Sequence, residues 1–163
     1  MRYHNITKDD MLNGDGLRVC LWVAGCTHAC KDCHNPITWD ICGGIEFDAE
    51  AKQELFETLA KPYISGITLT GGDPLHPQNR ADIGALVHEI REKFPNKTIW
   101  LYTGFLWEEI RDLEFVPLLD VVADGEFVAD LKDVKLHWVG SSNQRVIDVK
   151  ETLKENIVVL HKS

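Results

Sequence analysis

The chain has 163 residues and a mass of 18.5 kDa, the length of about one domain. Hydrophobic residues make up 44% and charged residues 26%, which excludes a disordered chain and points to a packed core. Lys and Arg total 17 against 26 for Asp and Glu, and the net charge of -9 argues against a nucleic-acid-binding surface or one for anionic membranes.

Met1 to Asn13 lacks the apolar centre of a signal peptide, and no apolar run approaches the roughly 18 to 20 residues that span a bilayer. The expectation is one cytoplasmic domain over residues 1–163. The first strong element is Leu17 to Ala24 (LRVCLWVA), an apolar run ending at Gly25 that reads as a buried strand. Ala49 to Ala60 follows as an amphipathic helix, with Ala51, Leu55 and Leu59 on one face, Asp48 as N-cap and Pro62 past the end. A second strand, Ile64 to Thr70, runs into Gly71-Gly72. Ile83, Leu86, Val87, Ile90 and Phe94 then mark a helix that Pro95 stops. Thr98 to Tyr102 is a third strand, Leu106 to Leu113 a shorter helix, and Leu118 to Ala123 a fourth strand before Gly125. Beyond it, Lys135 to Val139, Arg145 to Val149 and Ile157 to Leu160 have the composition of three further strands.

Strands alternating with helices imply right-handed βαβ units and a mostly parallel α/β sheet. A full eight-unit barrel needs about 250 residues, so the chain supplies a partial, incomplete βα barrel or an open sheet. In either case the chemistry belongs at the C-terminal ends of the strands. Those ends carry Gly25-Cys26, Gly71-Gly72-Asp73, Thr103-Gly104 and Asp124-Gly125.

Three of the five cysteines crowd into GCTHACKDCHN as Cys26, Cys30 and Cys33. Three thiolates on one short loop suit a [4Fe-4S] cluster, which normally takes four cysteines, so that three leave one iron open. Zinc held by three cysteines and His28 or His34 is the competing metal reading, but a second separated ligand pair is lacking. Unrelated core cysteines are the third reading. Cys20 reads as a small core residue, and Cys42 is the candidate should a fourth thiolate exist.

This triplet after the first strand, with Gly71-Gly72-Asp73-Pro74 after the second, resembles the radical S-adenosylmethionine (radical SAM) enzymes. GCTHACKDCHNPITWD, LTGGDPLHPQN, DGEF and GSSNQRVIDV are more closely similar to the activators of anaerobic class III ribonucleoside-triphosphate reductases, over nearly the whole chain. The resemblance implies a [4Fe-4S] cluster on Cys26, Cys30 and Cys33, with the methionine amino and carboxylate groups of S-adenosylmethionine on the fourth iron. It also implies reductive cleavage of that cofactor, and a glycyl radical on the large subunit of the reductase as protein substrate, with an electron donor such as a flavodoxin. Two departures stand out. Asp32 takes the place of the aromatic residue often found before the third cysteine, and Asp73 stands where Glu is frequent.

The cofactor-binding candidates are Asp32, Cys33, His34, Gly71, Gly72, Asp73 and Asp124, with no catalytic residue beyond the cluster and cofactor ligands. Gly71 and Gly72 let backbone approach a ligand, although Gly, Asp and Pro also make ordinary turns. Asp73 orients that loop or meets the ammonium. Asp124 binds a cation or the ribose, or is a turn residue before Gly125. Asn143, Gln144 and Arg145 contact cofactor or partner, or are simply solvated. The alternatives are an activator of another glycyl-radical enzyme, of the pyruvate formate-lyase type, and a non-catalytic zinc-binding module.

Overall fold

A computed structural model describes residues 1–25 and 43–162. Cys26, Cys30, Asp32, Cys33, His34 and Cys42 lie outside the described residues.

The described chain forms a mixed seven-stranded sheet in the order β3-β1-β2-β4-β5-β6-β7. Its centre is parallel: β2 (Arg18–Val23), β4 (Gly66–Gly71), β5 (Thr98–Tyr102) and β6 (Val121–Asp124). α1 (Ala49–Leu59) and α2 (Arg80–Lys93) provide the first two crossovers, and α3 (Trp107–Ile110) lies in the third. Antiparallel strands flank this centre. β1 (Arg2–Asp10) pairs with β2 and with the two-residue β3 (Ile45–Glu46), while β7 (Arg145–Asp148) pairs with β6 and leads into α4 (Val149–Glu155).

The helices start where local chemistry favours them. The Asp48 carboxylate accepts the Ala51 N–H at 2.9 Å to cap α1, and Asp148 accepts from Glu151 at 3.0 Å to cap α4. α1 buries Ala51, Leu55 and Leu59, and α2 buries Ile83, Leu86, Val87 and Ile90. These side chains join Val19, Leu21 and Val23 of β2, Ile67 and Leu69 of β4, Ile99 and Leu101 of β5 and Val122 of β6 in one apolar cluster. Because side chains alternate across a strand, Arg18, Cys20, Thr68, Thr70, Trp100 and Tyr102 stand on the opposite face. That face is polar and lies outside the cluster, so the described helices pack against the other side.

Arg18 closes the N-terminal end of the polar face. It is fully buried, and its five N–H bonds all find oxygens. Nε donates to Thr68 Oγ1 at 2.9 Å, Nη1 to Asp15 O at 2.9 Å and Thr98 Oγ1 at 2.8 Å, and Nη2 to Ile67 O at 2.8 Å and Thr98 O at 2.9 Å. Burial lowers its pKa to about 10, which leaves it charged at neutral pH.

Several sequence expectations need correction. Lys135 to Val139 is not a strand: Leu136 and Lys135 fold back onto Asp133, and Trp138 has φ of 75°, which breaks extended backbone. Ile157 to Leu160 contributes an isolated bridge between Leu160 and Ile147 rather than a strand. Val149 opens a helix instead of ending a strand. β1 and β3 have no counterpart among the expected strands.

Candidate functional site

The C-terminal ends of β2 and β4 meet at Val23 and Gly71, which are partners in the parallel ladder. Gly71 has φ of 110°, a left-handed conformation that disfavours side chains. A Cβ there would stand 2.5 Å from Val23 N and 2.6 Å from Val23 O. With no side chain at either glycine, the turn lies flat on the end of β2. The Gly72 N–H donates to Val23 O at 2.8 Å, and the Asp73 N–H donates to Gly25 O at 2.6 Å. The residue immediately before Cys26 is therefore bonded directly to the Gly-Gly-Asp turn.

Asp73 is buried, and its carboxylate works inward. Oδ1 accepts the Leu75 N–H at 2.9 Å, and the Thr103 hydroxyl reaches both oxygens at 2.9 and 3.0 Å. Oδ2 also accepts the Gly104 N–H at 2.9 Å. These bonds draw the loop after β5 against the loop after β4. Asn79 joins the same assembly from the start of α2: its Nδ2 donates to Ala24 O at 2.9 Å and to Asp73 O at 3.3 Å.

Among the described residues no group of three or more His, Cys, Asp or Glu side chains is placed to hold a metal ion, so the metal expectation stays with Cys26, Cys30 and Cys33. Cys20 is enclosed on the polar face, and burial pushes its thiol pKa well up, which keeps it protonated at neutral pH.

The family model described as "4Fe-4S single cluster domain" matches residues 12–147. A protein of Enterobacteria phage T4 is 47% identical over 146 residues, covering 90% of this chain and 93% of its own. Proteins of Salmonella typhimurium and Escherichia coli K12 are 45% and 44% identical over 150 residues, each covering 90% of this chain and 97% of its own. All three are named anaerobic ribonucleoside-triphosphate reductase-activating protein. The chain belongs to this activating-protein family. An iron-sulfur cofactor follows from the family model.

Asp124 sits at the end of β6 with no exposed surface. Its Oδ2 accepts the Trp107 N–H at 2.8 Å and Arg145 Nη2 at 2.5 Å, and its Oδ1 accepts Arg145 N at 3.2 Å and Nε at 3.1 Å. Arg145 also bonds Glu108 at 2.9 Å. The Asp124 hydrogen bonds lift the guanidinium pKa above its usual value. Both oxygens of Asp124 are thus engaged within the chain, holding α3 and β7 to the end of β6.

The rest of the family-like GSSNQR segment forms a polar strap. Gln144 Oε1 accepts from Gly140 N and Ser141 N, each at 3.0 Å, while its Nε2 donates to Gly125 O at 3.0 Å. Asn143 Nδ2 donates to Glu126 O at 2.8 Å. Asn143, Gln144 and Arg145 therefore fasten the loop after β6. Sequence reasoning missed Thr103 and Asn79. The Thr103 to Asp73 bond spans thirty residues, and only the expectation that strand ends converge hinted at it.

Proposed function

We propose that the chain is a radical S-adenosylmethionine activase that generates a glycyl radical on the large subunit of an anaerobic ribonucleoside-triphosphate reductase. One observation carries this reading: in a member of the activating-protein family, Gly25, which precedes the cysteine triplet, is bonded at 2.6 Å to Asp73 of the Gly-Gly-Asp turn. The residue that leads into the cluster segment is thereby a neighbour of the turn.

In this reading Cys26, Cys30 and Cys33 hold a [4Fe-4S] cluster, and thiolate chemistry suits that group. S-adenosylmethionine fits the described residues too. The turn at Gly71 and Gly72 has no side chain to keep a ligand from the backbone, and the buried Tyr102 Oη has no hydrogen-bond partner among the described residues. When bound, the cluster and S-adenosylmethionine would supply reductive one-electron cleavage of the bond between sulfur and C5′, with methionine as one product and, once the adenosyl fragment has taken a hydrogen from a glycine Cα of the protein substrate, 5′-deoxyadenosine as the other.

The chain's own residues orient and enclose. Gly71 and Gly72 offer backbone to the methionine amino and carboxylate groups, and Asp32, Cys33 and His34 are the further residues assigned to the cofactor in this reading. Asp73, bonded to Thr103 and Gly104, fixes the turn rather than moving a proton. The sheet, helical on one face and polar on the other, supports an incomplete barrel whose polar face is the interior. A protein substrate reaches such a site through the open side. The electron comes from a reductant such as a flavodoxin, the whole forms one domain, and the setting is the reducing cytoplasm. Among the described residues no helix is long and apolar enough to cross a membrane.

The test is anaerobic purification followed by iron, sulfide and 5′-deoxyadenosine analysis, with electron paramagnetic resonance on the reductase large subunit. The expected result is about four irons per chain, 5′-deoxyadenosine, and a glycyl signal. A colourless zinc protein, or cofactor cleavage without a glycyl signal, contradicts the reading.

A further inference from the structure

We propose that Asn79 is a positioning residue for the cofactor, acting as a clamp between the backbone that leads into the cysteine segment and the Gly-Gly-Asp turn. The inference rests on the S-adenosylmethionine reading of this site and adds to it a residue outside the cysteine and Gly-Gly-Asp motifs.

Three observations carry it. First, Asn79 is fully buried and its Nδ2 spends both hydrogens on backbone carbonyls of two different segments: Ala24, at the end of β2, and Asp73, in the turn after β4. A planar amide joining two carbonyls fixes their separation, and here they belong to the two strand ends between which the ligand is held. Second, the side chain forgoes the local role its position offers. Asn is among the preferred N-cap residues, and Asn79 is the N-cap of α2, yet it makes no side-chain capping bond. Third, the bridging pose leaves Oδ1 buried without a partner among the described residues. A buried acceptor left unmatched is unfavourable and calls for an explanation. The clamp supplies one, because turning the amide to satisfy Oδ1 would release Ala24 or Asp73.

Asn79 thus acts through the Ala24 and Asp73 carbonyls, as a positioning residue. The expected loss on its removal is in cofactor affinity and alignment, while the cluster remains ligated by the cysteines. Because the Asn79 side chain makes no capping bond, Asn79→Ser and Asn79→Ala take none from the start of α2 and remove the bridge without burying a charge.

The experiment uses the anaerobically reconstituted holoprotein of the wild type and both variants. Iron and sulfide content and the melting temperature report ligation and folding. The perturbation of the cluster's electron paramagnetic resonance spectrum on titration with S-adenosylmethionine reports affinity, and 5′-deoxyadenosine formation at saturating cofactor reports turnover. The clamp predicts wild-type iron content in both variants, an apparent dissociation constant raised about ten-fold or more, and saturated turnover reduced far less than affinity. Unchanged affinity in the fully loaded variants overturns it. So does failure of both variants to accumulate as folded, iron-loaded protein, which assigns Asn79 to the fold alone. If the wild-type cluster spectrum itself does not respond to S-adenosylmethionine, the reading of the site fails and the clamp falls with it.

Discussion

The Thr103 hydroxyl donates to both oxygens of the Asp73 carboxylate, at 2.9 and 3.0 Å. Thr103→Val keeps the shape and removes the donor from a buried carboxylate. The expected cost is about 1.5 to 3 kcal/mol of stability, the range for hydrogen bonds to charged groups, measured by urea denaturation. Cofactor affinity should fall in parallel, because the turn bearing Gly71 and Gly72 loses its anchor to the loop after β5.

Gly71→Ala tests the close approach of the turn to β2. The new methyl meets backbone on the neighbouring strand at 2.5 and 2.6 Å, and backbone cannot yield as a flexible side chain would. Together with the positive φ, this predicts a loss of about 2 kcal/mol or more and no measurable binding of S-adenosylmethionine. A melting curve and an affinity titration on the same sample read both. Wild-type values would falsify the assignment of this glycine.

The two kinds of cysteine should behave differently. Cys30→Ala is expected to abolish iron binding and 5′-deoxyadenosine formation, whereas Cys20→Ala should leave the iron-to-protein ratio intact and cost only about 1 kcal/mol in packing. Since burial raises the Cys20 pKa, this thiol should also resist alkylation in native apoprotein at neutral pH and react only after unfolding. Mass spectrometry of alkylated peptides decides it.

Arg145→Met should destabilise without touching a ligand. It leaves the enclosed Asp124 carboxylate with only the Trp107 N–H and the backbone N–H of residue 145 among its bonds described above, at a cost of about 3 kcal/mol. The strap over residues 140–145 should loosen with it. Hydrogen exchange along β7 and α4 measures the effect, and unchanged protection there would contradict the role given to this pair.

Asp120 supplies an acid-sensitive contact. Burial pushes its pKa up, but hydrogen bonds from Arg91, the Ile99 N–H and Lys150 outweigh that, and the folded-state pKa lies below the usual value. The contribution is therefore complete above the ordinary Asp range of about 4 and fades as pH falls through the lower folded-state value. The stability gap between wild type and Asp120→Asn should be open at pH 7 and narrow below pH ~4. Urea midpoints at a series of pH values provide the measurement.

β5 was legible to the residue, because Thr98 to Tyr102 is an uninterrupted strand-forming run bounded by Lys97 and Thr103. β1 was not, since its sequence is polar and register shifts between Tyr3 and Asn5 and between Thr7 and Asp10 break the alternation that identifies a strand. α4 had a signal, Asp148 followed three residues later by Glu151, but the β-branched composition of Arg145 to Val149 masked it. At the site, residue types disclosed Gly71, Gly72 and Asp73. The partners of Asp73 and Asp124 were hidden, because Thr103 and Arg145 are brought to them only by strands pairing over long separations.

The Arg18 guanidinium gives the sheet a way to reject misalignment. Its five bonds draw on Asp15, Ile67, Thr68 and Thr98, so β2, β4, β5 and the loop before β2 must all be in place before the charge is matched. If one strand slips by two residues, apolar side chains still face the helices, yet a cation is left enclosed with missing acceptors. The slip that the hydrophobic pattern tolerates is thus the one Arg18 forbids. Its effect reaches the far end of the strands, where the same register sets Val23 opposite Gly71.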